Sequence, residues 1–181
     1  MAAFLVLPGG AYPFLLLNET AFIKTCRFDA YMASGHGGQK RNRTYSAVRL
    51  THLPTAFAVI AEESRSQSEN KLKALKRLRL AIALRVRKQL SAGSFTIPGE
   101  IREYFKPDAP LQINPKNPLY PLACATALDA LYLAAGKIGA AAELLSISTG
   151  RLNKFLSKDR DLLSAGNELR THFNLKPLKP V

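Results

Sequence analysis

SAVRLTHLPTAFAVIAEESRSQSENKLKALKRLRLAIALRVRKQL, residues 46–90, carries two periodicities back to back. Ser46 to His52 and Ala56 to Ala61 read as two strands, and Leu53, Pro54 and Thr55 make a tight connection, so a hairpin is the natural pairing. Ser66 and Glu69 then stand at capping-box spacing before a stretch without Gly or Pro, which predicts one helix from about Asn70 to Leu90. Leu72, Leu75, Leu78, Ile82 and Val86 recur at steps of three or four and define its apolar face. Lys71, Lys73, Lys76, Arg77, Arg85, Arg87 and Lys88 are left largely for the other faces. The fold class expected is α+β, with a small sheet packed on one long basic helix.

Upstream, Cys26, Phe28 and Ala30 alternate with Arg27, Asp29 and Tyr31, and Ala21 to Tyr31 is expected to be a half-buried strand. Between that strand and the hairpin lies SGHGGQKRNRT, residues 34–44. Three glycines, three Lys/Arg and one His stand there with no apolar residue, so nothing in it can anchor a core and an exposed, mobile loop is expected. Further upstream, MAAFLVLPGGAYPFLLLN is apolar but lacks a basic start and is broken by Pro8, Gly9, Gly10 and Pro13. A packed strand or arm fits it better than a signal peptide or membrane span.

The charge is uneven. The 181 residues hold 26 Lys/Arg against 13 acids, net +13. Residues 22–90 hold 15 against 4, residues 91–181 hold 11 against 8, and residues 1–21 hold Glu19 alone. A polyanionic partner meeting the first half is the expectation. Cys26 and Cys124 are 98 positions apart, which excludes a disulfide framework and a Cys pair at metal-ligand spacing, and points to a reducing cytosol. His36, His52 and His172 form no metal-spaced cluster, so neither a metal nor a cofactor is expected. GHGG has the spacing of neither a dinucleotide fingerprint nor a Walker loop.

Residues 34–80, SGHGGQKRNRTYSAVRLTHLPTAFAVIAEESRSQSENKLKALKRLRL, resemble the catalytic domain of class-I peptide chain release factors and their ribosome-rescue relatives. The Ser34-Gly35 lead, the Gly37-Gly38-Gln39 core, Asn42, the SAVRLTHLPT strand and turn, and RSQSENK occur in that family's order and spacing, within roughly residues 22 to 90. The resemblance implies ester hydrolysis of peptidyl-tRNA, with the main-chain amide at Gln39 as the principal catalytic group and Gly37 and Gly38 supplying its geometry. Ser34, Gly35, Asn42 and Arg65 would support the loop. Lys40, Arg41 and Arg43 form a positive collar, and with Lys71, Lys73 and Arg77 they are candidates for RNA contact. The chemistry of the residues agrees. Paired glycines reach backbone conformations closed to other residues and let the main chain approach an ester closely. A neutral glutamine is no strong base, but a nearby N–H can stabilise the oxyanion formed as water attacks. The site would be completed by ribosomal RNA and tRNA, which accounts for the lack of a triad. His36 departs from the family's usual Pro or Ala. Lys40-Arg41-Asn42-Arg43 stands where His-Val-Asn-Lys is more usual. As a titratable group His36 is conceivable as a general base, and an RNA contact or altered loop stiffness is the alternative. Methylation of the Gln39 amide is usual in the family.

Beyond Gly93 the composition shifts. Pro107, Pro110, Pro115, Pro118 and Pro121 argue against regular structure between Lys106 and Pro121. The expected domains are residues 1–93 with the hydrolytic unit and a short arm, 94–121 as a Pro-rich linker, and 122–181 as a helical bundle. Its helices are expected over Ala123 to Ala135, Ile138 to Leu145, Gly150 to Leu156 and Leu162 to Phe173. AAAELLSISTGRLNKFL resembles a helix-turn-helix, with Arg151, Asn153 and Lys154 as a modest set of base-reaching side chains. NLKPLKPV reads as a short extended basic tail. About twenty residues precede the hydrolytic segment, too few for the family's stop-codon reader, so the expectation is codon-independent rescue of stalled ribosomes. Ribosome, ribosomal RNA and peptidyl-tRNA are the expected partners in a cytoplasmic setting, with the C-terminal unit touching RNA or a protein. The rival readings are a non-catalytic ribosome- or RNA-binding module and a helix-turn-helix nucleic-acid regulator.

Overall fold

The structure, a computed structural model, describes residues 4–32, 45–89, 93–107 and 111–180. It is α+β and divides into two compact units, residues 16–82 and residues 1–15 with 83–181.

In the unit of residues 16–82, strand structure begins later than Ala21. The Asn18 side chain accepts the N–H of Ala21 at 2.8 Å and starts a short helix, α2 (Glu19–Lys24). An Asn offering its oxygen to a free N–H favours a helix start over alternation in the next residues. Then come β2 (Cys26–Tyr31), β3 (Ala47–His52) and β4 (Ala58–Ala61), antiparallel in the order β2-β3-β4. The ladder runs from Cys26 opposite His52 to Tyr31 opposite Ala47, and the expected hairpin pairs Thr51 with Ala58 and Val48 with Ala61. His52 N–H closes its turn on the Phe57 carbonyl at 2.8 Å. The period of two in β3 buries Val48, Leu50 and His52 and exposes Arg49.

His52 is a polar member of that core. Its ring stacks on Phe22 with centroids 5.5 Å apart, and Nδ1 lies 2.7 Å from Thr55 Oγ1. Burial pushes its pKa down to about 4. The folded chain therefore binds fewer protons at this site than the unfolded chain, whose histidine titrates near 6.5. The contribution is complete above about pH 6.5 and is lost as pH falls toward 4, on the order of 1–2 kcal/mol between pH 7 and 5. Urea midpoints at those two pH values should lie further apart in the native chain than in His52→Gln; equal separations would refute the assignment.

The helix α3 (Gln67–Arg85) starts as the capping residues suggest, with one change of partner. Glu69 N–H donates to Ser66 Oγ at 3.4 Å, but the Glu69 carboxylate accepts from Ser64 Oγ, which in turn accepts the Ser66 N–H at 3.1 Å. The box is closed through Ser64. Ala74, Leu75, Leu78 and Ile82 are buried, but Leu72 is 48% exposed. At 100° per residue Leu72 lies about 90° from the middle of the arc set by Leu75, Leu78 and Ile82, at the edge of the stripe.

The helix ends at Arg85, short of Leu90, because Val86–Lys88 leave it as β5 and pair in parallel with β1 (Leu5–Leu7). This pairing belongs to the other unit, so the division falls within the last turn of α3 and the composition shift near Gly93 lies inside a compact unit. Gly10, at φ 64, brings its backbone so near Lys88 that a Cβ there would lie 2.7 Å from the Lys88 Cβ, which fits glycine's tolerance of close approach. Arg87, placed by periodicity among the solvated cations, is completely buried. Its Nη1 meets Asp129 Oδ1 at 3.0 Å and the Ala125 carbonyl at 3.1 Å, and Nη2 donates to the Ala83 carbonyl. Asp129 also accepts the Lys88 N–H at 3.0 Å.

In that same unit, α1 (Tyr12–Leu15) is followed, after β5, by a 3-10 helix at Gly99–Phe105 that buries Ile101 and Phe105. Between it and α4 (Tyr120–Leu133) the described residues form neither helix nor strand, yet Leu111 and Ile113 are buried. The described part of the proline-rich segment is packed irregular chain, and Pro121 sits in the first turn of α4, where its missing N–H costs nothing. The helices α4, α5 (Ile138–Leu144), α6 (Thr149–Ser157) and α7 (Arg160–His172) follow the expected order. Ala135, Ser146 and Asn174, all at positive φ, end α4, α5 and α7. The next residue's N–H returns to a carbonyl five residues back: Gly136 to Leu131, Ile147 to Ala142, and Leu175 to Arg170. The basic tail folds back along α7. Leu178 N–H donates to Asn167 Oδ1 at 2.7 Å, and Arg170 Nε donates to the Lys176 carbonyl at 2.8 Å.

Candidate functional site

The loop residues singled out above, Ser34, Gly35, Gly37, Gly38, Gln39, Lys40, Arg41, Asn42 and Arg43, lie outside the described residues, as does His36. The described residues on either side form the loop's frame. Tyr31 and Ala47 are paired, so β2 and β3 deliver the two ends of the intervening chain side by side at one end of the sheet.

The first turn of α3 grips the downstream end. Gln67 Nε2 donates to the Tyr45 carbonyl at 2.7 Å, and Asn70 Nδ2 donates to the Ser46 carbonyl at 2.7 Å. Asn70 is fully buried and uses its whole amide: Nδ2 also donates to the Ser64 carbonyl at 2.8 Å, and Oδ1 accepts the Ser64 N–H at 2.9 Å. At the upstream end, the Tyr31 hydroxyl donates to Glu62 Oε2 at 3.4 Å, and the Arg49 guanidinium lies 5.7 Å from the Tyr31 ring centroid. Burial, with Glu62 nearby, pushes the Tyr31 phenol up.

The basic candidates are not equivalent. Lys73 and Lys76 are exposed on α3, and Arg65 is exposed just before it. Lys71 is half-buried, its ammonium 5.6 Å from the Phe28 ring centroid. Arg77 is engaged: Nη2 pairs with Glu63 at 2.5 Å and Nη1 donates to the Ile60 carbonyl at 2.8 Å. Its hydrogen bond holds the Glu63 carboxyl below the usual range. A phosphate approaching Arg77 would have to displace that carboxylate, a competition that helical spacing alone does not reveal.

The side chains offered as base readers on α6 also differ. Arg151 donates to the backbone carbonyls of Pro107 at 2.6 Å and Lys106 at 2.9 Å, and the Asn153 side-chain oxygen is buried, which leaves Lys154 exposed to solvent. Among the described residues no three His, Cys, Asp or Glu side chains group as metal ligands. No helix there is long and apolar enough to cross a membrane.

The three-stranded antiparallel sheet and the long basic helix α3 fall within residues 22–97, which match the RF-1 domain family. The same region is similar to peptide chain release factor 1 of several bacteria. Identity is 52% over 66 residues to the protein of Gluconobacter oxydans (strain 621H), covering 36% of this chain and 19% of that protein. It is 49% over 67 residues for Acidiphilium cryptum (strain JF-5), with 37% and 19% covered. For Wolbachia pipientis subsp. Culex pipiens (strain wPip) it is 57% over 56 residues, with 31% and 15% covered. The chain thus spans less than a fifth of the length of these relatives. Within it, residues 22–97 are a class-I release-factor domain of the Gly-Gly-Gln type. The first 21 residues and the helices α4 to α7 lie outside the match.

Proposed function

We propose that this chain hydrolyses the ester bond of peptidyl-tRNA on stalled ribosomes, without reading a codon. The observation that carries the reading is the match over residues 22–97, which contain Gly37, Gly38 and Gln39 in sequence. In the proposed step, a water oxygen bonds to the ester carbonyl carbon while main-chain N–H at Gln39 stabilises the oxyanion. The bond from that carbon to the tRNA ribose oxygen then breaks; the ribose oxygen takes up a proton and the peptide leaves as a carboxylic acid. Lys40, Arg41 and Arg43, with Lys71 and Lys73, would meet RNA phosphates, and Arg77 would do so only by giving up Glu63. The excess of 15 Lys/Arg over 4 acids in residues 22–90 supports that division of labour. The helices of residues 122–181 would add a second contact with the ribosome, RNA or protein, in the cytoplasm where translation stalls.

The test is release of labelled peptide from purified ribosomes halted on a truncated message. The full chain should liberate peptide with no stop codon in the decoding site. Binding to those ribosomes without release would overturn the reading in favour of a non-catalytic docking module.

A further inference from the structure

Two carbonyls in succession, Tyr45 and Ser46, are held by two amides three residues apart on α3, Gln67 and Asn70. The β2–β3 ladder stops at Tyr31 opposite Ala47, so residues 45 and 46 lie past the last ladder pair and sheet pairing does not orient them. Their direction is set by the helix instead. Asn70 is itself fixed by both hydrogen bonds to the Ser64 backbone, and Ser64 by its hydroxyl to Glu69 and Ser66. Helix start, the 62–66 connection and the first residues before β3 thus form one hydrogen-bonded unit. Gln67 is exposed, yet its amide makes a bond to the chain just before β3, whereas a purely solvating residue on a helix's outer turn has no such partner.

We propose that Gln67 and Asn70 are positioning residues for the hydrolysis. They aim the point at which the chain enters β3, and through it the reacting segment, without touching substrate. The proposal rests on the hydrolysis reading above. Holding a group in its reacting geometry is worth large factors, and a displacement of about 1 Å can cost ~100-fold in rate.

Gln67→Met removes the donor while keeping length and helix propensity, and Gln67→Lys returns a donor to the same place. In single-turnover release from stalled ribosomes, Gln67→Met should lower the maximal rate about tenfold or more. The half-saturating concentration and the thermal midpoint should stay at the native values, and Gln67→Lys should recover part of the rate. Asn70→Asp, which loses both donated bonds, should cost more rate, and its thermal midpoint separates misaiming from unfolding. An active native chain with Gln67→Met at the same maximal rate overturns this role alone. A change confined to half-saturation also overturns it, since that marks a docking residue. A native chain that releases no peptide overturns the hydrolysis reading and this role with it.

Discussion

Gly38→Ala should abolish peptide release while leaving ribosome binding nearly intact, and Gly37→Ala should do the same. The expectation follows from what the chemistry asks of a backbone. A main-chain N–H that stabilises an oxyanion must come within hydrogen-bond distance of the ester, and an added Cβ restricts φ and, in the proposed site, would stand in the way of that approach. Loss of one such donor is worth about 100- to 1,000-fold in rate. Gln39→Ala keeps the main-chain N–H and should be the milder change, so the order of the three variants reports whether backbone or side chain does the work. Binding should survive because the cations Lys40, Arg41, Arg43, Lys71 and Lys73 are untouched. Release by both glycine variants at the native rate would sink the assignment of the loop.

Asp129→Ala should be the most destabilising single change among the described residues, by about 3–5 kcal/mol. Arg87 and Asp129 are both completely buried, and burial alone pushes the Arg87 pKa down and the Asp129 pKa up. Each charge is tolerated because the other stands 3.0 Å away, with the carbonyls of Ala83 and Ala125 accepting from Arg87 and Asp129 accepting the Lys88 N–H. Removing the carboxylate strands a fully buried guanidinium, and also frees the Lys88 N–H beside the β1–β5 pair. The double variant Arg87→Met/Asp129→Leu leaves no unpaired charge and should recover much of the loss. Chemical denaturation of the three proteins checks this: a double variant as unstable as Asp129→Ala would show that packing, not stranded charge, sets the cost.

Gly37, Gly38 and Gln39 are proposed from their order and spacing to the hairpin and helix that follow, and they lie outside the described residues. What holds the frame was less legible in the sequence. Gln67 and Asn70 stand within RSQSENK, but their acceptors, the carbonyls of Tyr45 and Ser46, lie 22 and 24 residues away and belong to the backbone, which no residue type announces. The pairing of Arg77 with the Glu63 carboxylate was hidden because the two stand on different segments that only folding brings together.

Sequence alone determined the β3–β4 hairpin, the start of α3 and the four C-terminal helices, since each depends on neighbours within a few positions: alternation, a three-to-four repeat, a cap or a turn. Tertiary structure alone decided that Val86–Lys88 leave the helix for a parallel strand beside Leu5–Leu7, that Arg87 is inside, and that the last residues lie along α7. Those outcomes turn on partners brought together by folding, some of them about eighty positions apart, and a local pattern carries no record of what the rest of the chain will place against it.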